Sequence, residues 1–124
     1  MPSKKILVVD DEDSIRQLFE EIFLSAGYDV ITVESAEEAL DLLENESIKV
    51  MFLDLNLPGM SGIELCKTIR KENKEAYIYA VTGFTNIFGA PECLKAGFND
   101  YFFKPTEIKT LIDTAQKAFE ALGE

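Results

Sequence analysis

At 124 residues, with 47% hydrophobic and 28% charged side chains, the chain has ordinary globular composition. It is long enough to bury roughly two-thirds of the surface that its unfolded form would expose. Its 23 acidic and 12 basic residues leave a net charge of −11, which argues against direct nucleic-acid binding by the surface as a whole. The apolar run after Lys5 is too short for a signal-peptide core or a membrane span, so neither export nor membrane insertion is expected. The absence of histidine excludes Ser-His-Asp and Cys-His triads, histidine zinc sites and a phosphohistidine on this chain. Cys66 and Cys93 each fall inside a helical apolar pattern, which predicts two reduced thiols and a cytoplasmic location.

The first predicted strand is Ile6, Leu7, Val8 and Val9. A helix follows with Ile15, Leu18, Phe19, Ile22, Phe23 and Ala26 on one stripe, and Gly27 ends it. The second strand is predicted from Tyr28 to Val33. Ser35 and Glu38 have the spacing of a capping box for a helix through Ala39, Leu40, Leu42 and Leu43. The third strand is Val50 to Leu53, and Ser61 with Glu64 opens a helix through Leu65 and Ile69 in the same way. Ala76 to Val81 form the fourth strand. The loop from Gly83 to Gly89 leads to a short fourth helix, Pro91 to Ala96, with proline in its tolerated first turn and Gly97 at its stop. The fifth strand is Phe98 to Phe103. After Thr106 the last helix places Ile108, Leu111, Ile112, Ala115, Phe119 and Leu122 on one face.

Strands that alternate with helices imply a parallel α/β sheet covered on both faces, because parallel neighbours need crossovers. The continuous apolar strands agree with that burial. For five strands and five helices the expected topology is flavodoxin-like and doubly wound, with order 2-1-3-4-5. Residues 1–124 read as a single domain.

Ligands of such sheets bind outside the C-terminal ends of the strands. Those ends carry Asp10 and Asp11, Asp54, Thr82 and Lys104. Taken singly, each has an ordinary explanation: a turn-forming or capping aspartate, a β-forming threonine, a solvated lysine. Their convergence is the signal. Carboxylates sharing one crevice repel by about 4 kcal/mol per pair at about 4 Å and an effective dielectric of about 20. Lys104 offsets one charge, and a hard divalent cation with oxygen ligands, Mg²⁺ where a phosphoryl group is also held, suits the remainder.

Four segments, Ile6-Leu-Val-Val-Asp-Asp-Glu12, Asp54-Leu-Asn-Leu-Pro-Gly-Met-Ser-Gly62, Val81-Thr-Gly83 and Asn99-Asp-Tyr-Phe-Phe-Lys-Pro105, resemble the receiver domains of two-component response regulators over nearly the whole chain. The resemblance implies a phosphorylation switch rather than an enzyme acting on other substrates. Asp54 would be the phosphoacceptor. Asp11, Asp54 and the main-chain carbonyl of Asn56 would bind Mg²⁺, with Asp10 assisting, often through water. Thr82 and Lys104 would hold the phosphoryl oxygens. Tyr101 matches the family's switch aromatic, which rotates inward behind the threonine; its plainer reading is a half-buried strand tyrosine.

The implied partners are a sensor histidine kinase or histidine phosphotransfer protein as donor, and a downstream target docking on the fourth helix, the fifth strand and the last helix. Phe84, Ile87, Phe88 and Phe103 are candidates for that surface, or else core. Gly83 and Leu57 depart from the commonest family residues, alanine and methionine. The resemblance also implies that Asn56 and Phe84 occupy positions that in this family influence phosphoryl lifetime.

Three other readings compete. An FMN electron carrier shares the fold class, but Asp10-Asp-Glu-Asp13 would repel its phosphate. An aspartate-nucleophile phosphohydrolase would have a second acid where Asn56 stands. A receiver-shaped docking module that takes no phosphate leaves the full set of site residues without a use. With no output segment after the last helix, the chain reads as a stand-alone receiver or as one excised from a longer protein.

Overall fold

The computed structural model describes residues 4–83, 90–104 and 106–124. Phe84, Ile87, Phe88 and Pro105 lie outside the described residues, as does most of the loop expected from Gly83 to Gly89. In chain order the elements are β1 (Lys5–Val9), α1 (Asp13–Ser25), β2 (Asp29–Val33), α2 (Ala36–Asn45), β3 (Val50–Asp54), α3 (Gly62–Glu72), β4 (Tyr77–Thr82), α4 (Ala90–Ala96), β5 (Asp100–Phe103) and α5 (Ile108–Ala121). All pairings are parallel and the strand order is β2-β1-β3-β4-β5, as the alternation of elements predicts.

The period-2 alternation of side chains along a strand divides the core into two layers. Leu7, Val9, Met51, Leu53, Ile78 and Ala80 face the side covered by α2, α3 and α4. Ile6, Val8, Val50, Phe52, Tyr79 and Val81 face α1 and α5. On that second face Phe52 lies 5.1 Å from both Phe23 and Tyr79, ring centre to ring centre. Burying a side chain of this size contributes about 1.5–3 kcal/mol, and truncating it to alanine costs more because a cavity remains.

Local signals fix the helix ends. Ser35 Oγ accepts from the Glu38 N–H at 3.1 Å, and Ser61 Oγ accepts from the Glu64 N–H at 3.2 Å, satisfying donors that the first turns of α2 and α3 leave free. Gly27, at φ +95°, closes α1 while the Tyr28 N–H returns to the Phe23 carbonyl at 3.0 Å. That return excludes Tyr28 from β2, which starts one residue later than expected; its ring stacks on Phe119 at 5.1 Å instead. Likewise β5 begins at Asp100 rather than Phe98, which is buried in the layer beneath α3 and α4. Leu18 and Ile108, expected on buried stripes, are exposed. Ala118, absent from the predicted stripe of α5, is buried.

At the N-terminal edge of the sheet, Arg70 of α3 binds both the α3–β4 and the α4–β5 connections. Its Nε donates to the Gly97 carbonyl at 2.8 Å, Nη1 to the carbonyls of Ala76 at 2.6 Å and Asn73 at 3.3 Å, and Nη2 to Asn99 Oδ1 at 2.7 Å. Asn99 Oδ1 also accepts the Ile78 N–H at 2.8 Å. The planar guanidinium supplies several divergent donors at once, so one side chain fixes the end of α4 and the starts of β4 and β5.

Candidate functional site

The opposite edge gathers the polar groups. Asp10 directly follows β1, Asp54 and Thr82 end β3 and β4, and Lys104 directly follows β5. Asp10, Asp54 and Thr82 are 3%, 5% and 1% exposed, the buried polar exceptions among the described residues of an otherwise apolar core. The ladder sets their spacing: Asp54 pairs with Val81, Thr82 pairs with Phe103, and the Lys104 N–H continues to the Thr82 carbonyl at 2.8 Å. Residues far apart in sequence are thus brought side by side by backbone hydrogen bonds.

Lys104 Nζ lies 2.8 Å from Asp10 Oδ2, 3.5 Å from Asp54 Oδ2 and 4.0 Å from Glu12 Oε1. Burial alone would lower the lysine pKa, but the bond to Asp10 and the charges of Asp54, Asp10 and Glu12 outweigh it and hold the pKa above 10.5. Asp54 shifts the other way from a normally paired acid. Burial raises its pKa above 3.8 and the charge of Asp10 adds to the rise; the Asn56 N–H, at 3.1 Å from Oδ1, and Lys104 only partly oppose it. The two shifts are consistent because the lysine bonds Asp10 more closely, leaving Asp54 incompletely compensated.

Among the described residues, Asp10, Asp11 and Glu12 can place one carboxylate oxygen each within 4.8 Å of one another. Asp11 and Glu12 are exposed, and the Glu12 N–H donates to Asp10 Oδ1 at 2.9 Å. Asp54 stands outside this group and reaches it through Lys104. Asn56 is exposed in the loop after β3. Glu12, not among the residues predicted from the strand ends, joins the acidic cluster and lies 4.0 Å from Lys104 Nζ.

The loop after Asp54 is pinned at both ends. The Gly62 N–H donates to the Leu55 carbonyl at 3.2 Å, and the Met60 N–H to Glu37 Oε2 at 3.3 Å. A Cβ on Gly62 would stand 2.2 Å from the Asp54 carbonyl oxygen and 2.8 Å from Leu55 Cα, so only glycine permits this approach. Tyr101 pairs with Ala80 two positions before the Thr82–Phe103 pair, is half-buried against the layer beneath α3 and α4, and meets Phe103 edge-on at 5.4 Å. A groove of about 660 Å³ between the ends of α2 and α3, lined by Leu40, Leu43, Ile48, Met51 and Ile69 among others, contains none of the predicted site residues.

A strand order of 2-1-3-4-5 with buried acids and a lysine at its C-terminal edge defines a class, and comparison with known proteins identifies it. The response regulator receiver domain model matches residues 6–116, and the chain belongs to that family, whose members act in two-component signal transduction. It is 42% identical to the alkaline phosphatase synthesis transcriptional regulatory protein PhoP of Bacillus subtilis over 83% of the chain and 43% of PhoP. It is 31% identical to sporulation initiation phosphotransferase F of the same organism over 94% of each. The crystal structure of response regulator protein TrrA from Thermotoga maritima, in complex with Mg²⁺-BeF, superposes with a TM-score of 0.84 at 33% identity, covering 93% of this chain and 98% of that one. The chain spans less than half the length of PhoP and of several other curated relatives it matches. It is a signalling domain rather than an enzyme of the ordinary kind. No helix among the described residues is long and apolar enough to cross a membrane.

Proposed function

We propose that the chain is a single receiver domain in which Asp54 accepts a phosphoryl group from a phosphohistidine on a sensor histidine kinase or histidine phosphotransfer protein. A carboxylate oxygen of Asp54 forms the new P–O bond as the P–N bond breaks, and the imidazole departs with that bond's electron pair. The observation that carries this reading is the buried, incompletely compensated Asp54 beside a lysine shared with Asp10. A nucleophile excluded from bulk water, with a cation in reach, suits a transfer whose catalysis is mainly positioning and charge stabilisation.

The donor set is all oxygen, which fits a hard divalent cation. Asp11, Asp54 and the Asn56 carbonyl would hold Mg²⁺, with Asp10 assisting. Mg²⁺, when bound, supplies positive charge that offsets the phosphoryl oxygens. Lys104 would turn part of its charge from Asp10 to a phosphoryl oxygen, and the Thr82 hydroxyl would hold another. The same residues then catalyse the domain's own phosphorylation and, with water as acceptor, its dephosphorylation.

Thr82 and Tyr101 form the proposed switch, since the ladder of β4 and β5 links them to Lys104. The downstream partner would dock on α4, β5 and α5, where Leu94, Phe103 and Ile108 are exposed. The two buried free thiols, Cys66 and Cys93, suit a reducing cytoplasm.

The test is intact mass after incubation with Mg²⁺ and acetyl phosphate, beside Asp54→Asn and an EDTA control. One added phosphoryl group that requires both Mg²⁺ and Asp54 is expected. Folded, cation-loaded protein that gains no mass would overturn the phosphoacceptor reading in favour of a domain that acts by docking alone.

A further inference from the structure

We infer that Arg16 is a positioning residue for the acidic turn and raises its affinity for a divalent cation, an inference that rests on the cation site proposed above. Arg16 lies in α1 with its side chain 14% exposed. Its Nη1 donates to the main-chain carbonyl of Asp10 at 2.6 Å, while Nη2 bonds Asp13 Oδ1 and lies 3.9 Å from Glu34 Oε2. The Asp10 N–H is bonded to the Val33 carbonyl at 3.2 Å, one residue before Glu34. Residue 10 is therefore held on both sides, by the end of β2 through its N–H and by Arg16 through its carbonyl. The same guanidinium ties the turn to α1 at Asp13.

This grip bears on the three carboxylates together. Asp11 and Glu12 are exposed and have little packing to orient them, so their placement depends on the backbone that carries them. That backbone is fixed by the Asp10 carbonyl bond to Arg16 and by the Glu12 N–H bond to Asp10 Oδ1. Lysine could keep the charge but not the fork, which reaches a carbonyl with one nitrogen and a carboxylate with the other.

Charge and geometry predict opposite outcomes here. As a bare positive charge beside the cluster, Arg16 repels a divalent cation, so removing it would tighten binding. As a positioning residue it aligns the ligands, and groups that orient metal ligands typically contribute about 10–100-fold in affinity. The positioning effect is the one we assign.

The experiment is Mn²⁺ titration followed by electron paramagnetic resonance on wild type, Arg16→Lys and Arg16→Gln, with circular dichroism and melting in EDTA establishing that each is folded. Both variants are expected to bind Mn²⁺ about 10-fold more weakly than wild type, and lysine fails to rescue. Should Arg16→Gln not fold, Arg16→Lys carries the same comparison alone. Equal or tighter binding by folded variants overturns the assignment and leaves the cation site standing. Wild-type protein that takes up no Mn²⁺ overturns the site, and the role of Arg16 with it.

Discussion

At the N-terminal edge of the sheet Arg70 is surrounded by four oxygen acceptors, three of them backbone carbonyls, whereas at the C-terminal edge Lys104 faces carboxylates at unequal distances of 2.8, 3.5 and 4.0 Å. Both are partly buried cations joined to several strands or their connections. The first is matched by dipoles that need nothing further, and its acceptors would be left bare by its loss. The second leaves Asp54 short of compensation, so that edge gains from an incoming cation. A charge that ties segments together and a charge proposed to serve chemistry thus differ in how completely their neighbours answer them.

The largest effect that would break this contrast is at Gly62. Gly62→Ala drives a Cβ into the Asp54 carbonyl and is expected to cost at least about 3 kcal/mol in urea unfolding. It should also slow phosphoryl uptake, because the strand end carrying Asp54 must shift. Arg70→Met should cost about 2 kcal/mol yet leave uptake from acetyl phosphate near wild type. Loss of uptake in that variant would mean the two edges are not separable.

Asp54→Asn should act in the opposite direction in EDTA. The folded state raises the Asp54 pKa above 3.8, so it binds the proton more tightly than the unfolded chain, and stability falls as pH rises through the folded value. The asparagine variant should therefore melt higher than wild type at neutral pH, with the difference closing as pH falls through the folded value and gone below 3.8. A lower melting temperature for the variant would show that Lys104 compensates Asp54 after all. Smallest of all, Lys5→Gln removes a largely solvent-accessible bond to Glu46, each side chain 36% exposed, and should leave the urea midpoint nearly unchanged.

Much of this arrangement was legible in the residues. Alternating periods located every strand and helix, and reading the strand ends selected Asp10, Asp54, Thr82 and Lys104, which the sheet does bring together. What escaped depended on distant contacts. Nothing local separates Gly62 from any other residue at a helix start, because the clash it avoids is with the backbone of Asp54. Arg70 and Arg16 resemble solvated helix cations until the carbonyls they reach are known. Leu18 and Ile108 satisfy the helical period but are exposed, since period alone does not set the width of a buried stripe.

The division of the core into two layers also sorts the molecule's optical reporters. The chain has no tryptophan and four tyrosines. Tyr28, Tyr77 and Tyr79 belong to the layer beneath α1 and α5, and Tyr101 alone lies on the other flank. Emission from the native protein is therefore weighted toward the face that α1 and α5 cover, and a Tyr101→Phe variant would leave that signal nearly intact. The difference between the two spectra isolates a single ring on β5, giving a label-free view of that flank without the introduction of a foreign fluorophore.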